Sequence, residues 1–250
     1  MNRLFLTAAL GFALVPGAHA GAPLIDVYAG VQGWDAGLSG DIASGGNDVD
    51  VERDLGFSSS SQNVFFVGFE HPVPLVPNAR LRFANLSDSA AGTVDKTFTF
   101  AGFEFQEDRE VRSSYQLDYQ DLTIYYTPFD LVFKLDLGLN IRRLDVEMEI
   151  RDRDSGDEVS EDATATIPML HAAARGDLPL TGFYAAGELN AISYDGSRLS
   201  DVRAALGWQS DFLLAVEVGY SQLDFKLDDV SDLDADLSVG GPYLGLSLNF

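Results

Sequence analysis

Cysteine is absent from all 250 residues, which excludes disulfide cross-links, thiolate nucleophiles and thiolate metal sites. Histidine is scarce: only His19, His71 and His171 occur, too far apart in sequence to read as a transition-metal cluster. Basic residues are few as well, 16 Lys and Arg against 39 Asp and Glu. Such a surface repels phosphate, so nucleic acid is excluded as a partner. Phosphate-cradling loops are missing, because Gly45-Gly46 lies in an acidic segment with no Lys after it. Past residue 20 no run approaches the roughly 20 apolar residues that a membrane helix needs. That last absence rules out helical spans only, since a strand crosses with about 9–11 residues.

What is present begins with an N-terminal segment unlike the rest. Arg3 precedes an almost unbroken apolar run over residues 4–15, and Ala18-His19-Ala20 offers the small-x-small pattern of a cleavage site. Residues 1–20 are therefore expected to be a signal peptide cleaved near Ala20, leaving residues 21–250 as one domain. No Cys follows the run, so a lipid-anchored precursor is not expected.

The remainder alternates with a period of two. Leu244, Leu246, Leu248 and Phe250 share one face of the C-terminal segment, with Gly245, Ser247 and Asn249 on the other. In residues 131–141, Leu131, Phe133, Leu135, Leu137, Leu139 and Ile141 oppose Lys134, Asp136, Gly138 and Asn140. Comparable segments fall at 25–34, 63–70, 79–86, 119–126, 164–175, 183–194, 201–208 and 214–221. The one at 164–175 is faint because alanines blur its phase. These periods predict ten strands, or eight if the faint segment fails.

Connections divide into two kinds. Those at 71–78, 127–130, 176–182 and 210–212 are short and rich in Pro, Gly and Asp. Those near 39–61, 88–114, 148–163 and 226–235 read as long loops, and only the one around Asp195-Gly196-Ser197 on that side is brief. Short turns on one rim and long loops on the other are the asymmetry of an antiparallel up-and-down transmembrane β-barrel of the bacterial outer membrane, short side periplasmic. A soluble periplasmic barrel that binds a ligand would alternate too, with its polar face outward. The polar faces carry Asp26, Glu70, Asp121, Asp136, Glu188, Asp201 and Glu217 against Arg80, Arg82, Lys134, Arg142, Arg175 and Arg203. Near-neutrality in so acidic a chain points to a confined lumen, where unpaired charge is costly. Trp34, Tyr126, Phe129, Phe183, Trp208, Phe212 and Phe250 fall near strand ends, as interfacial girdles do.

The acidic excess sits in the long connections and adjoining strand ends. Residues 39–61, 88–114, 145–163 and 224–236 hold 26 acids and 7 bases, 19 of the 23 net negative charges. Hydration of exposed loops accounts for this. Divalent cations at the acidic loops are the sharper expectation, with Asp152-Arg153-Asp154-Ser155-Gly156-Asp157-Glu158 and the acids of 228–236 as candidate ligands. Neither run matches an EF-hand loop.

No catalytic, cofactor or metal residues are assigned from sequence. A lipid- or peptide-hydrolysing barrel would need an acid and a nucleophile gathered around His171, which lies well within the sixth segment. His71 abuts the proline turn and reads as structural.

Closing on an aromatic after clean alternation, the last strand resembles the terminal strand of outer-membrane barrels. That resemblance implies recognition by the barrel-assembly machinery through Phe250. The whole of residues 21–250 resembles a family of proteobacterial outer-membrane barrels of about this length, without an assigned activity. The resemblance rests on Glu70-His71-Pro72-Val73-Pro74-Leu75-Val76-Pro77-Asn78, Asp121-Leu122-Thr123-Ile124-Tyr125-Tyr126, Leu135-Asp136-Leu137-Gly138-Leu139, Leu233-Asp234-Ala235-Asp236-Leu237-Ser238 and Gly240-Gly241-Pro242-Tyr243. It implies a membrane barrel contacting outer-membrane lipid, and transfers no catalytic or ligand residue. The expected role is structural, adhesive or that of a narrow pore.

Overall fold

The computed structural model describes residues 25–44, 48–73, 75–100, 102–230 and 233–250. The expected signal segment lies outside them. The described residues form thirteen strands: β1 (Asp26–Ser44), β2 (Val49–Asp50), β3 (Ser59–Glu70), β4 (Asn78–Thr93), β5 (Phe98–Phe100), β6 (Phe103–Phe105), β7 (Glu110–Asp130), β8 (Phe133–Asp152), β9 (Glu158–Asp177), β10 (Phe183–Tyr194), β11 (Ser197–Gln209), β12 (Leu214–Val230) and β13 (Leu233–Asn249). Ten of these pair antiparallel with their chain neighbours, and β13 pairs with β1, so the sheet closes on itself. This is a ten-stranded antiparallel barrel. Closure pairs the strands around the short-turn half, as a sheet in hydrocarbon requires, whereas β9 above Leu170 has only β8 beside it. The faint segment is a full strand, β9, in register with β8 from Phe133↔Gly176 to Arg151↔Glu158.

All four short connections fall on one rim, where β3–β4, β7–β8, β9–β10 and β11–β12 join. The far rim departs from expectation. Residues 148–163 and 226–235 are mostly strand: β8 runs to Asp152 and β9 starts at Glu158, while β12 and β13 are parted by two residues. The strands are thus longer than their apolar alternation indicates. β7 has 21 residues, about 70 Å of strand, and stands roughly 50 Å tall at a 45° tilt. An outer-membrane belt is about 25 Å. About half of β7 therefore projects beyond a belt of that height, whereas β3, β10 and β11, with 12, 12 and 13 residues, stand about as tall as the belt itself.

On β7 and β8 that division is marked by a switch of polarity. On β8 the outward residues Leu137, Leu139 and Ile141 give way to Arg143, while the inward residues change from Asn140 and Arg142 to the buried Leu144 and Ile150. On β7 the exposed Ile124 and Leu122 are followed by the exposed Gln120 and Gln116, and the buried Thr123 and Asp121 by Leu117 and Val111. Near the short turns the barrel is apolar outside and charged inside; beyond the switch it is built like a soluble protein. Alternation continues past the switch on both strands, but the face that is greasy changes. For this reason the upper strands read as loops in the sequence.

The projecting half is filled from within. Residues 49–57 run from β1, where β2 pairs at Ile42↔Val49 and Asp41↔Asp50, to β4, where Leu55 and Gly56 lie against Ala91 and Gly92. Val51, Leu55 and Phe57 are buried there. The β5–β6 hairpin adds Phe98 stacked on Phe105 at 5.0 Å. Each fully buried aliphatic or aromatic side chain contributes roughly 1.5–3 kcal/mol. Trp34 belongs to this core and not to an interfacial girdle: it is buried and donates Nε1–H to the Gly241 carbonyl at 3.1 Å. It lies on the inward face of β1, and the neighbouring barrel strands leave it no route to lipid. The other six aromatics placed in the girdle are exposed. Gly241 allows the close approach that seals β13 to β1, since a Cβ there would sit 1.7 Å from the Asp35 carbonyl oxygen.

Candidate functional site

The membrane-level lumen gathers the chain's interior ionisable groups, and all thirteen charged residues assigned to the polar faces line it or pair within it. At the short-turn rim, Lys134 Nζ donates to both oxygens of Glu70 (2.7 and 2.6 Å), and Tyr125 donates its hydroxyl to the same carboxylate at 2.7 Å. Asp136 accepts from Thr127 at 2.6 Å. Arg175 lies 3.7 Å over the Tyr184 ring and donates to Asp177 and Gln209. These groups surround a cavity of about 400 Å³ that opens on that rim.

Deeper in, the charges interlock. Glu188 is held by Arg80, by Arg82 at 3.0 Å and by Arg203 at 3.4 Å. Arg203 reaches on to Glu217 at 3.5 Å. Arg142, fully buried, makes a two-pronged contact with Asp121 (Nε to Oδ1 and Nη2 to Oδ2, both 2.7 Å), donates to Asp201, and lies 4.1 Å from the Tyr119 ring centre. Arg82 and Asp201 approach to 3.6 Å. Cross-strand register places the partners: Asp121 pairs with Arg142, Arg82 with Asp121, and Glu188 with Arg203. Opposite charges directly across a ladder stabilise it, and planar guanidinium forks suit paired carboxylates. Directly above lies the apolar core, so the charged column is capped on the far side.

Both histidines are held by neighbouring groups. His71 Nδ1 accepts the Val73 amide at 3.1 Å, so Nε2 carries the proton toward the Pro77 carbonyl at 3.3 Å. It shapes the proline turn. His171 is buried in the lumen, and its Nδ1 meets Asn190 Oδ1 at 2.7 Å. Asn190 donates in turn to Glu188 at 3.1 Å, which orients the amide. The imidazole is oriented by an amide and not by a carboxylate, while Tyr125 packs beside it at 5.8 Å between ring centres.

The acidic runs are differently disposed. Asp152 accepts the amides of Asp154 (2.8 Å) and Ser155 (3.0 Å), closing the β8–β9 turn. The Ser155 amide, then that of Asp154 and the nearby Arg109, hold its carboxyl below the usual range against partial burial. Its charge thus serves the turn. Part of the second run, residues 231–232, lies outside the described residues. Among the described residues no three His, Asp or Glu side chains are placed to hold a metal ion.

Sequence reasoning missed that residues 49–57 and the β5–β6 hairpin pack into the apolar core. The signal was there: Val49, Val51, Leu55 and Phe57 in one acidic connection and Phe98, Phe100, Phe103 and Phe105 in another. Hydrated loops have no use for so many buried-type side chains.

No protein-family model matches the sequence, and no curated protein matches it. Solved structures do. The outer membrane protease OmpT from Escherichia coli superposes with a TM-score of 0.62 at 10% identity, covering 90% of this chain and 97% of that one. The translocator domain of the autotransporter NalP from Neisseria meningitidis gives 0.49 at 12% identity over 93% and 90%. Ail of Yersinia pestis gives 0.39 at 10% over 90% and 99%. At such identities the likeness to OmpT concerns the fold alone, a bacterial outer-membrane barrel.

Proposed function

We propose that this chain is an integral outer-membrane protein of a Gram-negative bacterium with a structural or adhesive role, non-conducting and non-catalytic. The short-turn rim then faces the periplasm and the projecting half faces outward. One observation carries the reading: the lumen is closed twice, by the Arg142–Asp121–Asp201–Arg82–Glu188 network and by the apolar core above it. A conducting path needs water through both, and a narrow pore is disfavoured on that ground. Planar-bilayer recording tests this, with no stable unitary steps expected; large, long-lived steps would overturn it.

The non-catalytic part rests on His171, whose partner is Asn190. Hydrolysis of a lipid or peptide that disappears in His171→Ala would refute it. Signal cleavage near Ala20, assembly through the strand ending at Phe250, and membership of the outer-membrane family resembled at Glu70–Asn78 and Gly240–Tyr243 belong to the same reading. Outer-membrane fractionation of the expressed chain, with N-terminal sequencing of the product, checks the first of these.

A further inference from the structure

The short-turn rim is greasy where water-facing turns are usually polar. Leu75 is 91% exposed and Leu180 107%, and Leu131, Phe212, Val73 and Val76 are exposed beside them. Three of the leucines in these turns also hold the left-handed backbone conformation: Leu75 (φ 69°), Leu180 (φ 67°) and Leu213 (φ 59°). Gly, Asn or Asp would occupy that region at lower cost. Leucine there is needed for its side chain, not tolerated for its backbone.

The belt explains the need. On β3 the outward apolar run extends only from Phe65 to Phe69, and on β4 only Leu81 and Phe83 continue it. Four residue steps give about 13 Å of strand, roughly 10 Å of height at a 45° tilt, against a belt of about 25 Å. The wall is too short there for the lipid it must meet. The turn below it, residues 71–77, is the longest on this rim, against 131–132, 178–182 and 210–213. Its Val73, Leu75 and Val76 continue the apolar surface where the strands stop.

We propose that the periplasmic turns are part of the lipid-facing surface, with Val73, Leu75, Val76, Leu131, Leu180 and Phe212 seated in the acyl-chain and glycerol region of the inner leaflet. The occupant is lipid and not a protein partner for two reasons. The apolar tips occur at all four turns around the rim, whereas a partner would cover one side. They also run without a break into the exposed belt residues Phe69, Phe129, Phe183 and Trp208. This rests on the outer-membrane reading above, and its test separates the two.

Because the chain lacks cysteine, single spin labels can be attached at Leu75→Cys and Leu180→Cys, with Leu137→Cys as belt control and Asp154→Cys as water control. The variants are folded into phosphatidylethanolamine–phosphatidylglycerol vesicles, and heat-shifted gel mobility confirms each fold. Labels at 75 and 180 are expected to collide with oxygen, and to avoid a water-soluble nickel chelate, as the label at 137 does. Their nickel accessibility should lie several-fold below that at 154. Equality with 154 while 137 stays protected overturns this proposal alone. Exposure of 137 itself would instead sink the membrane reading.

Discussion

Arg142 offers the most exacting test of a closed lumen. It is 0% exposed, grips Asp121 through two 2.7 Å hydrogen bonds, and shares Asp201 with Arg82, which stands 3.6 Å away. Arg142→Leu keeps much of the volume but strips Asp121 of the one cation paired with it among the described residues. Asp201 retains Arg82. Breaking one side of a buried pair costs about 3–5 kcal/mol, mostly because the surviving charge is uncompensated. A second substitution, Asp121→Leu, on the same background removes that charge. The double variant is expected to recover most of the loss, leaving a coupling of about 2–3 kcal/mol in the mutant cycle. Urea titrations of protein folded into vesicles, followed by tryptophan emission and gel mobility, give the four stabilities. A single-variant cost below about 1 kcal/mol, the range of hydrated pairs, would mean that water reaches this layer. The sealed column would then be refuted.

Other expectations are quicker to check. Leu137→Arg puts a charge on the lipid side and is expected to cost roughly 2–4 kcal/mol near the midplane, falling toward the interfaces. On the same face of β8, Arg143→Leu lies above the polarity switch and is expected to stay within about 0.5 kcal/mol; equal costs for the two in urea titration would erase the switch. Asp152 carries a lowered carboxyl pKa, so its support of the β8–β9 turn is full above the ordinary carboxylate range and is lost as pH falls below it. Amide-exchange protection at Asp154 and Ser155 is expected to hold near neutral pH and to drop only as pH falls below the ordinary carboxylate value of 3.8. In Asp152→Asn it should be insensitive to pH, and a matching drop there would assign the effect elsewhere.

The lower half of this barrel was legible because one rule governs it: where Leu137 and Leu139 face out, Asp136 and Asn140 must face in. Pairing was legible only as composition. That seven acids met six bases pointed to a confined interior, but not that Glu188 would collect three arginines, since this depends on shear around the barrel. The upper half was opaque for a different reason. Residues 143–152 alternate as faithfully as 133–142, yet Leu144 and Ile150 take the face that Asn140 and Arg142 held below. A reader tracking one greasy face sees disorder at the crossing. Trp34 was misplaced by the same shift, lying just past the level where β1 turns its apolar side inward.

The polarity switch has a further mechanical meaning. Sliding the barrel deeper would drag Arg143, Gln120 and their counterparts on other strands into hydrocarbon together; raising it would strand Leu139 and Ile141 in water. Height and tilt are thus fixed by a waterline distributed around the circumference, without any dedicated anchor. The molecule thus carries its own plumb line.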